Sequence, residues 1–273
     1  MAYIETEMAT AVISIYAAHP LSFQPRGERD LLWVSKKAIY ESGKSIRGGI
    51  PIIWPWFGAH PTDSMKQSHG FARQMMWRVA ETAVNHNNHL ILKLALAESA
   101  TTKAQWPHPF HLTLTIIVGD SLSVTLTIEN QSDIDFSYTA ALHTYFNISD
   151  IKNISISGLE NAIYLDKLDE LRPKKQSDGI QFQSEVDRIY INTTAVCKIN
   201  DSGFNRAILV SKQGSCSTVV WNPWIDKAKA MSDFGDDEYL NMVCVETANA
   251  ANDLVTLAPH EKRSLTTTIT LAS

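Results

Sequence analysis

The sequence predicts an all-β protein, a large antiparallel β-sandwich with a few short helices. Three observations carry that reading. Several runs alternate apolar and polar residues with a period of two, the pattern of a strand with one face in a core and one toward water. The runs are rich in Thr, Ile and Val, whose branched side chains suit a pleated surface. Turn-forming residues separate them at short spacing, as a sandwich or barrel requires. The 273 residues suffice for a substantial core, and no repeat, low-complexity tract or linker divides them. Residues 1–273 are therefore expected to form a single domain.

In chain order, Leu90–Leu96 (LILKLAL) is the first clear strand. His111–Val118 (HLTLTIIV) and Leu122–Glu129 (LSVTLTIE) follow, with Gly119-Asp120 between them. A glycine at the first central position suits a type II′ hairpin turn. Ile154–Ser157, Asp187–Asn192, Ala207–Val210, Thr218–Trp221, Met242–Glu246 and Leu265–Thr270 repeat the β-branched composition. Only Asp226–Met231 and Asp236–Asn241 suggest short helices.

Composition narrows the function. Hydrophobic residues are 44%, charged residues 19% and the formal charge is −5. A mildly acidic chain has no general electrostatic pull toward nucleic acid or anionic lipid, although local arginines can still hold an anion. The longest apolar stretch, Ile50–Phe57, is broken by Pro51 and Pro55 and is too short to span a bilayer. Glu5 and Glu7 replace the basic start of a signal peptide, so a cytoplasmic location is expected. The three cysteines, Cys197, Cys216 and Cys244, lack C-x-x-C spacing and lie in apolar runs. They read as buried free thiols rather than disulfides or metal ligands. His86/His89 and His108/His111 have no companion ligand nearby and read as surface residues, so neither a metal nor a cofactor is expected.

Four stretches break the strand pattern. Arg47-Gly-Gly-Ile-Pro through Trp54-Pro-Trp-Phe-Gly58 offers an arginine fork for an oxyanion and two glycines that would let backbone approach a ligand. Its tryptophans would serve as flat sugar-binding faces or as core. Ser68-His-Gly-Phe-Ala-Arg73 sets His69, which titrates near neutrality, four residues from a permanent cation. In Leu142-His-Thr-Tyr-Phe-Asn147, a strand would project His143, Tyr145 and Asn147 from one face. In Cys244-Val-Glu-Thr-Ala-Asn249, Glu246 ends an apolar run, where desolvation raises a carboxyl pKa toward the range a general base needs. Trp221-Asn-Pro-Trp224 and Asp187 are weaker signals, readable as a core corner and a solvated strand start.

In this order the segments resemble one family, the aldose 1-epimerases of the galactose mutarotase-like superfamily, and within it the hexose-6-phosphate mutarotases. The resemblance runs from about Ser22 to Leu271 and rests on Arg47-Gly-Gly-Ile-Pro, Trp54-Pro-Trp-Phe-Gly, His69-Gly-Phe-Ala-Arg73, Leu142-His-Thr-Tyr-Phe, Trp221-Asn-Pro-Trp and Val245-Glu-Thr-Ala-Asn. It implies a galactose mutarotase-like sandwich acting as a monomer on a hexose 6-phosphate. It further implies His143 as catalytic acid, Glu246 as catalytic base and His69 as a second active-site histidine. Arg47 and Arg73 would hold the phosphate, and Asp187, Trp221 and Ser68 would contact the sugar. Ser68 departs from the glutamine common in related sequences, and its shorter side chain reaches less far. A free-sugar aldose 1-epimerase, a non-catalytic carbohydrate-binding sandwich and a glycoside hydrolase are the competing readings. The arginine pair, the His143/Glu246 combination and the two histidines respectively fit those readings less well.

Overall fold

In the computed structural model, which describes residues 1–272, the two longest alternating runs become neighbouring strands. Phe110–Val118 and Leu122–Asn130 pair antiparallel, from Phe110 opposite Asn130 to Val118 opposite Leu122. Their even-numbered residues are buried and the threonines between them only half-buried. The connection departs from expectation. It spans three residues, Gly119 to Ser121, and Gly119 is not in the left-handed region that a type II′ turn demands. Glycine is needed there for space, since a Cβ would lie 2.4 Å from Cδ2 of the His89 ring.

These strands sit inside an eight-stranded antiparallel sheet. Its order is Ile154–Ser157, Cys197–Asp201, Arg206–Gln213, Lys262–Leu271, Leu122–Asn130, Phe110–Val118, Leu90–Ala97 and Arg78–Val84. A second sheet is ordered Arg172–Lys175, Ile163–Asp166, Val186–Ile191, Ser217–Asn222, Met242–Asn249, Ala140–Leu142 and Ile52–Ile53, with Tyr145–Asn147 also paired to Met242–Asn249. The two sheets share one core, to which the first contributes Leu112, Leu114 and Leu126 and the second Val220, Val243 and Val245. On the other face of the second sheet, Ile53, Ala141, Ile189, Val219, Ala248 and Ala250 form a smaller apolar cluster. The second sheet is thus covered on both faces. That is why Met242–Asn249 is buried throughout and reads as a continuous apolar run rather than an alternating one.

Several elements escape a pattern reading. Ala2–Glu5, Ala9–Ser14 and His19–Pro25 form a three-stranded sheet, and Phe136–Tyr138 pairs with Val255–Leu257. A helix at Ala100–Gln105 is started by a capping box between Ser99 and Thr102. Of the two expected helices, the first forms over Trp224–Ala230 and the second is a 3-10 turn, Glu238–Asn241. Cys197 and Cys244 are buried thiols, but Cys216 is exposed. His86 is exposed, whereas His89, His108 and His111 are half-buried.

Candidate active site

Strand register brings His143 and Glu246 together. Leu142 lies opposite Thr247 and Tyr145 opposite Cys244, so the same register carried across the two intervening residues sets His143 opposite Glu246. Directly opposed residues share a sheet face. The His143 Nε2 and Glu246 Oε1 atoms lie 3.2 Å apart. Residues 103 positions apart in sequence thus become cross-strand neighbours.

The same register builds the floor. Asp187 is opposite Trp221, and Trp221 is opposite Cys244, which completes a row running Asp187, Trp221, Cys244, Tyr145. The next row runs Ile189, Val219, Glu246, His143. Above these rows is a cavity of about 300 Å³ that Arg47, Ser68, His69, Arg73, His143, Asp187, Trp221 and Glu246 all line. The eight residues that the family resemblance singles out therefore converge on one cavity. Asn147 does not, because its amide donates to the Asp30 carbonyl elsewhere. A larger groove of about 610 Å³, around Lys152, Lys198 and Arg206, contains none of these residues.

The loop segments act as walls. The backbone N–H of His69 donates to the Gly58 carbonyl, and the Gly58 N–H donates back to His69 Nδ1. That return bond leaves the imidazole proton on Nε2. The His69 and His143 rings are 5.8 Å apart, and His143 stacks on Tyr145 at 4.8 Å. The Arg73 Nη2 group donates to the Ser68 carbonyl at 2.8 Å, while its Nε has no protein partner. Ser68 is exposed at the rim. Asp187 is buried rather than solvated, and its carboxylate accepts from Lys167 Nζ at 2.7 Å.

Geometry decides two readings of the Arg47–Gly58 segment that the sequence left open between ligand contact and core. The glycines after Arg47 serve chain packing, not ligand approach: a Cβ on Gly48 would lie 2.4 Å from the Trp33 carbonyl oxygen, and one on Gly49 would lie 2.2 Å from that of Pro20. Trp54 and Trp56 are core residues, with Trp54 packed edge-on to Phe71 and Trp106. Trp221 is the tryptophan that reaches the cavity.

Sequence reasoning set Tyr145 on the His143 face but missed its bond to Arg47, and missed Asp233 and Lys167 altogether. Arg47 donates from Nη1 to the Tyr145 hydroxyl at 3.1 Å, and its Nε and Nη2 fork onto Asp233 at 3.2 Å each. Asp233 lies in the segment that follows helix Trp224–Ala230, and its neighbour Phe234 packs on Trp33. No local pattern marks either Asp233 or Lys167. The cue for Lys167 is only that it follows a strand paired beside Asp187, which needs the fold to be known.

Electrostatics set the protonation states. Burial among Val219, Ala248 and the cross-strand residues raises the Glu246 pKa well above the ordinary carboxyl range, against the pull of Lys167 and Arg73. A carboxylate beside His143 leads one to expect a raised histidine pKa. The structure reverses that sign: burial first, then His69, Arg73 and Arg47, hold His143 well below its usual value. His69 is depressed for the same reasons, with Arg73, Lys167 and Arg47 adding to burial. Burial lowers Arg73 to about 10, which leaves it cationic near neutrality. The favoured resting pair is uncharged, with one proton shared between Glu246 and His143. Glu246 Oε2 and His143 Nδ1 have no protein partner.

Cys244 joins His143 and Glu246 in a cluster whose ligand atoms lie within 4.8 Å of one another. Arg47, Arg73, Lys167 and Lys227 line the same cavity; Arg47, Lys167 and Lys227 are paired with Asp233, Asp187 and Glu185, while Arg73 bonds only the Ser68 carbonyl and keeps its charge for an anion.

Comparison with known proteins gives the same direction. Residues 3–270 match the aldose 1-epimerase family. A relative from Cenchrus ciliaris is 41% identical over 261 residues, covering 92% of this chain and 78% of the relative. One from Escherichia coli K12 is 37% identical over 252 residues, covering 91% and 82%. Both are provisionally named glucose-6-phosphate 1-epimerase. The crystal structure of a provisionally named mutarotase from Salmonella typhimurium superposes with a TM-score of 0.92 at 33% identity, over 99% of this chain and 90% of that one. A galactose mutarotase-related enzyme from Lactobacillus acidophilus, at 16% identity and a TM-score of 0.78, shares the fold. With the match spanning nearly every described residue and His143, Glu246 and the two arginines gathered in one cavity, the chain belongs to the aldose 1-epimerase family.

Proposed function

We propose that this protein is a cytoplasmic, monomeric, single-domain hexose-6-phosphate mutarotase that interconverts the α and β anomers of glucose 6-phosphate. One observation carries the reading: a buried histidine–carboxylate pair 3.2 Å apart opens on a cavity that two arginines also line. Names carried by the relatives support the substrate.

Anomerisation needs one proton removed and one supplied. Glu246 takes the proton of the anomeric hydroxyl while His143 protonates the ring oxygen. The C1–O5 bond breaks, an aldehyde forms and rotation about C1–C2 presents its other face. The ring then closes with the two roles exchanged. Moving the shared proton across the pair gives carboxylate and imidazolium, the form in which each group can play its part. His69, with its proton on Nε2, is a neutral donor beside the same oxygens. Each positioned proton transfer contributes typically about 10²–10⁴-fold.

Arg47 and Arg73 bind the phosphate by charge-assisted bonds and so hold C1 against the pair. Arg47 has two N–H groups left after its bonds to Asp233 and Tyr145. Asp187 and Trp221 receive the sugar ring, one through its hydroxyls and the other through its C–H face. Polarimetry on freshly dissolved α-glucose 6-phosphate tests the proposal: the enzyme accelerates the drift to equilibrium far above the buffer rate. Acceleration of free glucose to the same extent would favour a free-sugar epimerase, and no acceleration of either would favour a binding protein.

A further inference from the structure

The chemistry just described leaves Lys167 without a role, although it is anchored more firmly than a surface lysine. Its backbone N–H donates to the Asp187 carbonyl at 2.9 Å and its Nζ to Asp187 Oδ2 at 2.7 Å. The ammonium stands 5.7 Å from the centroid of the Phe57 ring. One backbone bond, one ion pair and one aromatic face therefore fix where the charge sits. An ammonium has three donors, and only one is used on Asp187.

Its position along the sheet is informative. Asp187 and Tyr145 end the row that also holds Trp221 and Cys244. Neighbouring strands are about 4.8 Å apart, so the two ends, three strands apart, are separated by about 14 Å at the backbone. Arg47 is bonded to Tyr145 at one end, and Lys167 to Asp187 at the other. The His143/Glu246 pair lies in the adjacent row, nearer the Tyr145 end.

A hexopyranose 6-phosphate has a matching polarity. Its phosphate is on C6, beside C5, the ring oxygen and C1, and the C2–C3 edge points the other way. With phosphate on the arginines and C1 at Glu246, that edge faces Lys167 and Asp187. We propose that Lys167 is a specificity-determining residue, which with Asp187 forms a donor–acceptor clamp on the C2–C3 diol. This rests on the mutarotase reading for the orientation of the sugar. The Asp187 carboxylate accepts from one hydroxyl while the free Lys167 donors give to the other. A site built this way rejects analogues that lack a hydroxyl, because its own polar groups are then left unpaired. The positive charge also lies on the side of the cavity where it favours Glu246 as carboxylate.

The test compares glucose 6-phosphate with its 2-deoxy and 3-deoxy analogues on wild type, Lys167→Met and Lys167→Arg. Turnover is read by polarimetry and binding by tryptophan fluorescence. Wild type should prefer the parent sugar about 10–100-fold in kcat/KM, the range of one charge-assisted hydrogen bond. Lys167→Met should shrink that preference below about threefold, and Lys167→Arg should restore most of it. A purely structural ion pair would weaken all three substrates equally, and that result overturns the proposal. If Lys167→Met fails to fold, Lys167→Gln carries the same comparison. If wild type turns over none of the three, the mutarotase reading fails. The binding ratios then decide the clamp: a ratio that collapses in the variant sustains it, and equal binding of parent and deoxy sugars by wild type overturns it.

Discussion

Replacing Glu246 by Gln should move activity and stability in opposite directions. The substitution keeps volume and hydrogen-bonding reach but removes the proton acceptor. Loss of one positioned base lowers kcat by about 10²–10⁴, or about 2.7–5.4 kcal/mol at 1.36 kcal/mol per decade. Stability should respond the other way because Glu246 has a folded-state pKa above its ordinary 4.5. The folded protein then keeps a proton that the unfolded chain releases as pH rises past that value. The stabilising contribution is complete below about 4.5 and is lost as pH climbs toward the folded-state pKa. Within that window the loss is about 1.4 kcal/mol per pH unit.

Glutamine has no such dependence. His69 and His143 shift downward, so they add stability above their unfolded pKa and lose it as pH falls. They are present in both proteins, and to first order their effect cancels in the comparison. The melting temperature of Glu246→Gln should therefore gain on wild type by about 3 °C per pH unit above pH 5, taking about 2 °C per kcal/mol for a chain this size. Circular-dichroism melts at pH 5, 6 and 7, paired with polarimetry, make the measurement. A gap that stays constant with pH, or a variant with wild-type turnover, refutes the argument that burial holds this carboxyl protonated and that it serves as the base.

Three further outcomes are expected. Arg73→Ala should raise KM for glucose 6-phosphate about 10–100-fold while leaving free glucose nearly unchanged; equal effects on the two sugars would argue against phosphate reading. Gly49→Ala should cost about 2–4 kcal/mol, because φ is +61° and the new Cβ meets the Pro20 carbonyl oxygen. Gly58→Ala, with φ +75° and open space around it, should cost only about 1–2 kcal/mol, and denaturant melts that failed to rank the two would count against the packing account. Saturation with 1,5-anhydroglucitol 6-phosphate, which cannot anomerise, should move the His143 and His69 pKa values upward: burial, the larger cause of their depression, persists, but the dianion offsets the part due to Arg47 and Arg73. Ring-proton NMR titration reads this directly, and unmoved values would place the phosphate elsewhere.

The fold was legible where one side of a strand faces water. Phe110–Val118 and Leu122–Asn130 carry their register in plain alternation. Met242–Asn249 does not, because both its faces are covered and only Glu246 interrupts the apolar run early. The candidate residues were legible as chemical types in unusual company, but their partners were not. Nothing near Arg47 in the chain announces Asp233, 186 residues away, and nothing near Asp187 announces a lysine. Local sequence also left the glycines and the first tryptophans open between ligand and core. A glycine needed by a ligand and a glycine needed by a crossing backbone look alike until the crossing chain is seen.

The sign of the histidine shift carries the same lesson into the chemistry. A pairwise view of His143 and Glu246 predicts an ion pair, because each charge favours the other. The cavity adds two effects that a pair cannot show. Burial penalises both charges; Arg73 and Arg47 penalise the imidazolium, while Arg73 in part favours the Glu246 carboxylate. A free sugar leaves that balance as it stands. On the proposed reading, a phosphate dianion between Arg47 and Arg73 offsets the effect of both on the imidazolium and that of Arg73 alone on the carboxylate, and the balance brings the proton-shifted pair closer in energy to the neutral one. Phosphate recognition and acid–base competence are then one electrostatic property of the cavity rather than two. On the proposed mutarotase reading, the arginines that would hold the phosphate also disfavour the imidazolium until an anion arrives, so specificity for the phosphorylated sugar should appear in turnover as well as in binding.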